Sequence, residues 1–94
     1  MRPYLMRRVR VSSSGPVQGV FFRTSCLDRA ERLGIAGWVR NVEGGGVEAV
    51  FEGAESAVAG MLSWCREGPP LARVDRVRSV DEAATGASGF RITP

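Results

Sequence analysis

Residues 35–52, IAGWVRNVEGGGVEAVFE, decide the architecture. Two β-like runs, Ile35 to Val42 and Val47 to Glu52, flank Glu43-Gly44-Gly45-Gly46. A short glycine-rich link between two strand patterns predicts an antiparallel hairpin. In the second run Val47, Ala49 and Phe51 alternate with Glu48 and Glu52, so the apolar three are expected inward and the carboxylates outward. Upstream, Phe22, Cys26, Ala30 and Leu33 fall at helical spacing, and Gly34 stands where a helix C-terminus takes glycine. Before that helix, Ser13 to Phe21 is turn-rich, and Leu5 to Ser12 alternates as a strand with Val9 and Val11 on one face and Arg8, Arg10 and Ser12 on the other. Downstream, Val58, Met61, Leu62 and Cys65 form one stripe of a second helix ended by Gly68-Pro69-Pro70. A strand from about Ala72 to Val80, a loop of small residues and a short strand from Phe90 to Thr93 complete the chain. The order β-α-β-β-α-β plus a short C-terminal strand predicts an α+β, ferredoxin-like two-layer sandwich, with two helices on one face of a mostly antiparallel sheet.

Composition narrows the chemistry. The chain has 94 residues, 44% hydrophobic and 24% charged, which suits one domain spanning residues 1–94 with a single core. No apolar run approaches the roughly 20 residues a bilayer span needs, and no apolar stretch behind MRPYLMRRVRV makes a signal peptide. Two cysteines make no disulfide framework, so a reducing cytoplasm is expected. Histidine is absent, which removes Ser-His and Cys-His triads and imidazole acid-base chemistry. All 13 basic residues are arginine, which removes the P-loop lysine and Schiff-base chemistry. A net charge of +3 favours small anions as partners without demanding nucleic acid.

The chemically informative segment is Gly15-Pro16-Val17-Gln18-Gly19-Val20-Phe21-Phe22-Arg23. Lying between a strand and a helix, it ends in the orphan N–H groups of a helix N-terminus. Its glycines permit positive φ, which can curl successive amides into a concave nest for an anion. Arg23 adds a planar guanidinium in the first helical turn, where a positive charge opposes the helix dipole unless an anion is bound. An ordinary strand-to-helix turn with a surface arginine is the competing reading, and on these residues alone both stay open.

Gly15-x-Val17-Gln18-Gly19-Val20-x-Phe22-Arg23, followed by Gly37-Trp38-Val39-Arg40-Asn41 and Gly45-x-Val47, resembles the two signature blocks of the acylphosphatase family. Trp64, Gly68-Pro69, Ala72, Val74 and Phe90-x-Ile92 extend the resemblance over nearly the whole chain. It implies the same ferredoxin-like fold and hydrolysis of the carboxyl-phosphate bond of acyl phosphates, with no cofactor. It further implies that Arg23 binds phosphate together with the amides of Gly15, Val17, Gln18, Gly19, Val20, Phe21 and Phe22, and that Asn41 positions the attacking water. Without the resemblance, the favoured reading of Asn41 is a turn-entry asparagine at a strand end, next to the glycine hairpin. Two positions depart from the pattern. Pro16 removes one N–H from the loop, and Val42 stands where many relatives carry threonine. The expected partners are an acyl phosphate and inorganic phosphate, with no nucleic acid and no membrane, and the expected state is a monomer.

Other signals carry less. Cys26-x5-Arg32 has the spacing of cysteine-dependent phosphatases, yet it lies in a helical pattern without glycine and includes Asp28 and Glu31, so Cys26 is expected in the core. Arg7, Arg8 and Arg10 are expected on a solvated strand face, because the sheet aromatics and RNP1 pattern of RNA-binding relatives are missing. Glu43, Glu48, Glu52 and Glu55 do not cluster as metal ligands, and Trp38 is expected to pack on the sheet.

Overall fold

Pairing of the central strands organises the molecule. The computed structural model describes residues 6–94. In chain order the elements are β1 (Met6–Ser14), α1 (Phe22–Leu33), β2 (Ala36–Asn41), β3 (Val47–Ala54), α2 (Glu55–Glu67), β4 (Arg76–Glu82) and β5 (Phe90–Ile92). The sheet order is β4-β1-β3-β2-β5, antiparallel throughout except where β5 runs parallel to β2. This is the expected ferredoxin-like sandwich. Val9, Val11, Val39, Val47, Ala49 and Phe51 on one sheet face join Phe22, Cys26, Ala30, Val58, Met61, Trp64 and Cys65 from the helices in one buried cluster. Each large apolar side chain buried there contributes about 1.5–3 kcal/mol.

Several boundaries differ from expectation, each for a reason of pairing. β1 continues through Ser14, past the expected end at Ser12, because it is central and paired on both sides (Ser13↔Val47, Ser14↔Arg76); the expected start at Leu5 lies outside the described residues. β2 begins at Ala36 rather than Ile35, since the Ile35 N–H donates to the Ala30 carbonyl (2.9 Å) in the C-terminal cap of α1, with Gly34 in the left-handed region. β2 also stops before Val42, whose N–H closes the turn onto the Gly46 carbonyl. The largest shift is β4, expected from Ala72 and observed from Arg76. Arg73 and Asp75 donate instead to the Pro16 and Ser14 carbonyls, and Ala72 donates to Pro69, so this segment braces the loop after β1 before the ladder begins. β5 ends at Ile92, although the Thr93 N–H still donates to Val39.

Two side chains also depart from expectation. Leu33, placed in the buried stripe of α1, is 40% exposed at the helix end, and Ile35 takes the interior position. Glu52 points to the outer face as expected, but that face does not leave it in solvent: it is buried there at 1% exposure. Its carboxylate accepts from the Arg8 guanidinium, from the Thr85 hydroxyl and from the amides of Thr85, Gly86 and Ala87. Burial alone would push this carboxyl up; hydrogen bonds from the Thr85 amide, Arg8, the Thr85 hydroxyl and the Gly86 amide outweigh it and hold it at about 2.

Candidate active site

The loop after β1 is bent at residues with positive φ and pinned by one buried side chain. Gly15 has φ 117°, and a Cβ on it would lie 2.5 Å from the Arg73 carbonyl oxygen, so only glycine fits. The Val17 N–H turns back onto the Gly15 carbonyl (2.8 Å), and the Val17 side chain is fully buried, pinning the loop to the core. Gly19 follows with φ 72°, and then Phe21, at φ 63° and ψ 22°, caps α1 in the left-handed region while its ring stays 70% exposed. A bulky residue held there is strained, as happens where function shapes a backbone.

The consequence is a run of unused donors. The first helical amide to find a carbonyl is that of Ser25, onto Phe21 (3.0 Å); the amides of Gln18, Gly19, Val20, Phe21, Phe22, Arg23 and Thr24 donate to no backbone carbonyl among the described residues. No side chain caps α1, and its first turn carries no acidic residue. Arg23 is half-buried and, among the described residues, pairs with no carboxylate. Asn41, the last residue of β2, has a buried Oδ1 with no hydrogen-bond partner among the described residues. These groups meet. A pocket of about 180 Å³ is lined by Val17, Gly19, Phe21, Phe22, Arg23, Thr24 and Asn41. Donors curled at a helix N-terminus, one unpaired guanidinium and one unpartnered amide oxygen suit a tetrahedral oxyanion beside a water molecule.

Of the residues singled out from the sequence, Gly15, Gln18 and Val20 are not in the pocket lining. Gly15 is the hinge of the loop, and Val20 packs partly on the core. The amide of Val17 is already taken by Gly15. The Gln18 side chain points to the hairpin, its Nε2 donating to the carbonyls of Val42 and Gly46 at 2.8 Å each. Thr24 lines the pocket and was not anticipated; its hydroxyl in the first helical turn, directly after Arg23, was the available signal.

A larger groove, about 460 Å³, lies between α1 and the end of α2, but it carries the carboxylates of Asp28 and Glu67. Arg32 there pairs with Asp28 at 3.2 Å. Cys26 is fully buried, and burial pushes its thiol far up; burial likewise pushes the Cys65 thiol up to about 12. Cys26 and Arg32 therefore form no nucleophile and anion cradle. On the far sheet face the arginines are paired rather than freely solvated, which corrects the sequence expectation. Arg8 bonds Glu52 and Glu82, Arg10 bonds Glu82 and Glu48, and Arg40 bonds Glu48; Arg7, which alternates to the helix-side face with Val9, pairs there with Asp81. The guanidinium groups of Arg10 and Arg40 lie over the Trp38 ring, 5.4 and 5.3 Å from its centre. Among the described residues no group of three or more His, Cys, Asp or Glu could hold a metal ion, and no helix is long and apolar enough to cross a membrane.

Comparison with known proteins points one way. The acylphosphatase family model matches residues 9–92. An acylphosphatase of Rubrobacter xylanophilus is 59% identical over 87 residues, covering 92% of this chain and 79% of that one. The structure of an acylphosphatase from Coxiella burnetii superposes with a TM-score of 0.91 at 38% identity, over 96% of this chain and 95% of that one. The acylphosphatase crystal structure from Bacillus subtilis gives 0.89 at 30% identity, over 94% and 99%.

Proposed function

Because the chain belongs to the acylphosphatase family, we propose that it hydrolyses the carboxyl-phosphate bond of acyl phosphates at the pocket between the Gly15–Arg23 loop and Asn41. The observation that carries this reading is the convergence of unused amides, the unpaired Arg23 and the partnerless Asn41 Oδ1 on one small pocket. The phosphoryl group sits with its oxygens on the loop amides and the Arg23 fork, which meets two of them at once. Asn41 Oδ1 accepts a hydrogen bond from water and holds it in line behind phosphorus.

Water then bonds to phosphorus as the bridging P–O bond breaks. The bonding pair leaves with a carboxylate whose conjugate acid has a pKa of about 4, so no general acid is required. The water proton ends on the phosphoryl oxygens, and a doubly charged acyl phosphate plus water yields a carboxylate and dihydrogen phosphate. The loose transition state spreads charge over the equatorial oxygens. Fixed amide dipoles and Arg23 stabilise that charge without reorganising. The reading needs no metal or cofactor, and it takes residues 1–94 as one domain acting as a monomer. Its test is release of inorganic phosphate from a simple aromatic acyl phosphate with EDTA present. Turnover inhibited competitively by inorganic phosphate is expected. Phosphate binding without turnover would leave a non-catalytic anion-binding module instead.

A further inference from the structure

We propose that Gln18 is a positioning residue that sets the spacing between the anion-binding amides and the Asn41 oxygen; this rests on the hydrolase reading above. Asn41 has no side-chain hydrogen bond of its own to hold it, since its Oδ1 is partnerless and none of its side-chain atoms bonds a described residue. Its place is therefore set by the backbone on either side. Asn41↔Val47 is the last ladder pair of β2 and β3. Immediately beyond it the Val42 N–H meets the Gly46 carbonyl at 2.9 Å. The two N–H bonds of the Gln18 carboxamide fall on the carbonyls of these same residues, Val42 and Gly46, at 2.8 Å each.

One side chain thus spans from the loop that carries the amides to both stems of the hairpin that carries Asn41. Val42 contributes no hydroxyl at this point, so the clamp comes from the loop side. The loop has separate anchors of its own: Val17 to Gly15, Arg73 to Pro16, Asp75 to Ser14, and the buried Val17 side chain. Removing the Gln18 donors should leave the anion cradle in place while Asn41 drifts relative to it. In-line attack is steep in distance, so a drift of about 1 Å costs about a hundredfold.

The test uses Gln18→Met, which keeps length and loses both donors, and Gln18→Glu, which keeps shape and replaces the donors with oxygen. For Gln18→Met, kcat is expected to fall about ten- to hundredfold while the Kd for inorganic phosphate stays within about threefold. The Asn41 side-chain amide resonances should move in the nitrogen-proton spectrum, and the Arg23 Nε resonance should not. Unchanged kcat, or a Kd that rises in step with the loss of kcat, overturns the proposal. In Gln18→Glu the introduced carboxyl faces two carbonyls, which favours its neutral form, and a protonated acid can restore one donor. Its kcat relative to wild type should therefore recover as pH falls, and a ratio flat with pH counts against the clamp. Wild-type protein without turnover would sink the hydrolase reading separately, while the Asn41 resonances would still report whether Gln18 positions that side chain.

Discussion

Arg23 occupies the first turn of α1, where a cation faces the positive end of the helix dipole and the turn itself carries no acidic residue. That placement costs about 0.3–1 kcal/mol in the free protein. Arg23→Ala should therefore abolish turnover and at the same time raise the urea midpoint slightly. Arg23→Lys should recover little, because an ammonium lacks the planar fork that meets two oxygens. A lysine variant with near-wild-type kcat would remove the need for two-point contact. Asn41 separates from Arg23 in what its loss changes. Asn41→Ala should lower kcat by about 10²–10³, the scale of one lost transition-state contact, with phosphate Kd nearly unchanged. Asn41→Asp should weaken both, since it brings a negative charge towards an anion. If Asn41→Ala loosened phosphate as much as Arg23→Ala, the asparagine would be a ligand contact and not a holder of water.

At the scale of elements, β2 matters because it delivers Asn41 to the pocket, and Gly37 controls how β2 lies on β3. Gly37 has φ 135°, and a Cβ there would sit 1.8 Å from the Val50 carbonyl oxygen, so the two strands would have to separate. Gly44, in the hairpin, has φ 97° and open space around it. Gly44→Ala should cost about 1–2 kcal/mol from backbone strain alone, and Gly37→Ala about 3 kcal/mol or more with loss of turnover. Urea denaturation of the two variants measures the difference. Equal costs would mean that the Val50 contact relaxes without moving the strand. The loop between β4 and β5 is governed by an element partner of another kind. Without the Glu52 carboxylate, the amides of Thr85, Gly86 and Ala87 lose their acceptor.

For the molecule as a whole, that carboxylate gives stability a dependence on acid. Glu52 titrates at about 2 in the folded chain against an ordinary 4.5. Its contribution is complete above about pH 4.5 and is lost as pH falls towards 2, because the unfolded chain takes up the proton first. Glu82, held down by hydrogen bonds from Arg10 and Arg8, acts in the same direction. Thermal melting between pH 7 and 2.5 should show a steep fall below pH 4.5 that is shallower in Glu52→Gln, which starts from a lower Tm. Leaving Arg8 half of a buried pair costs at most about 3–5 kcal/mol. Parallel curves for the two proteins would mean that other carboxylates carry the acid sensitivity.

Local chemistry determined most of the element order. Alternation at Val9 and Val11, the helical spacing from Phe22 to Ala30, the stop at Gly34 and the Glu43–Gly46 turn are short-range signals, legible wherever they occur. The same short-range reading, with the two signature blocks, singled out Arg23 and Asn41. What it could not supply was anything that depends on which distant backbone a segment meets. β4 starts at Arg76 because Arg73 and Asp75 are drawn to the Pro16 and Ser14 carbonyls, and no periodicity encodes that competition. Glu52 alternates outward as its pattern demands, yet it is buried because the residues after β4 fold back over it. Gln18 was legible as part of a loop, but its side-chain partners are 24 and 28 residues away. Burial, ion pairing and the closeness of Arg23 to Asn41 are consequences of chain crossing, and hydrogen-bond donors choose their acceptors only once tertiary structure has brought them within reach.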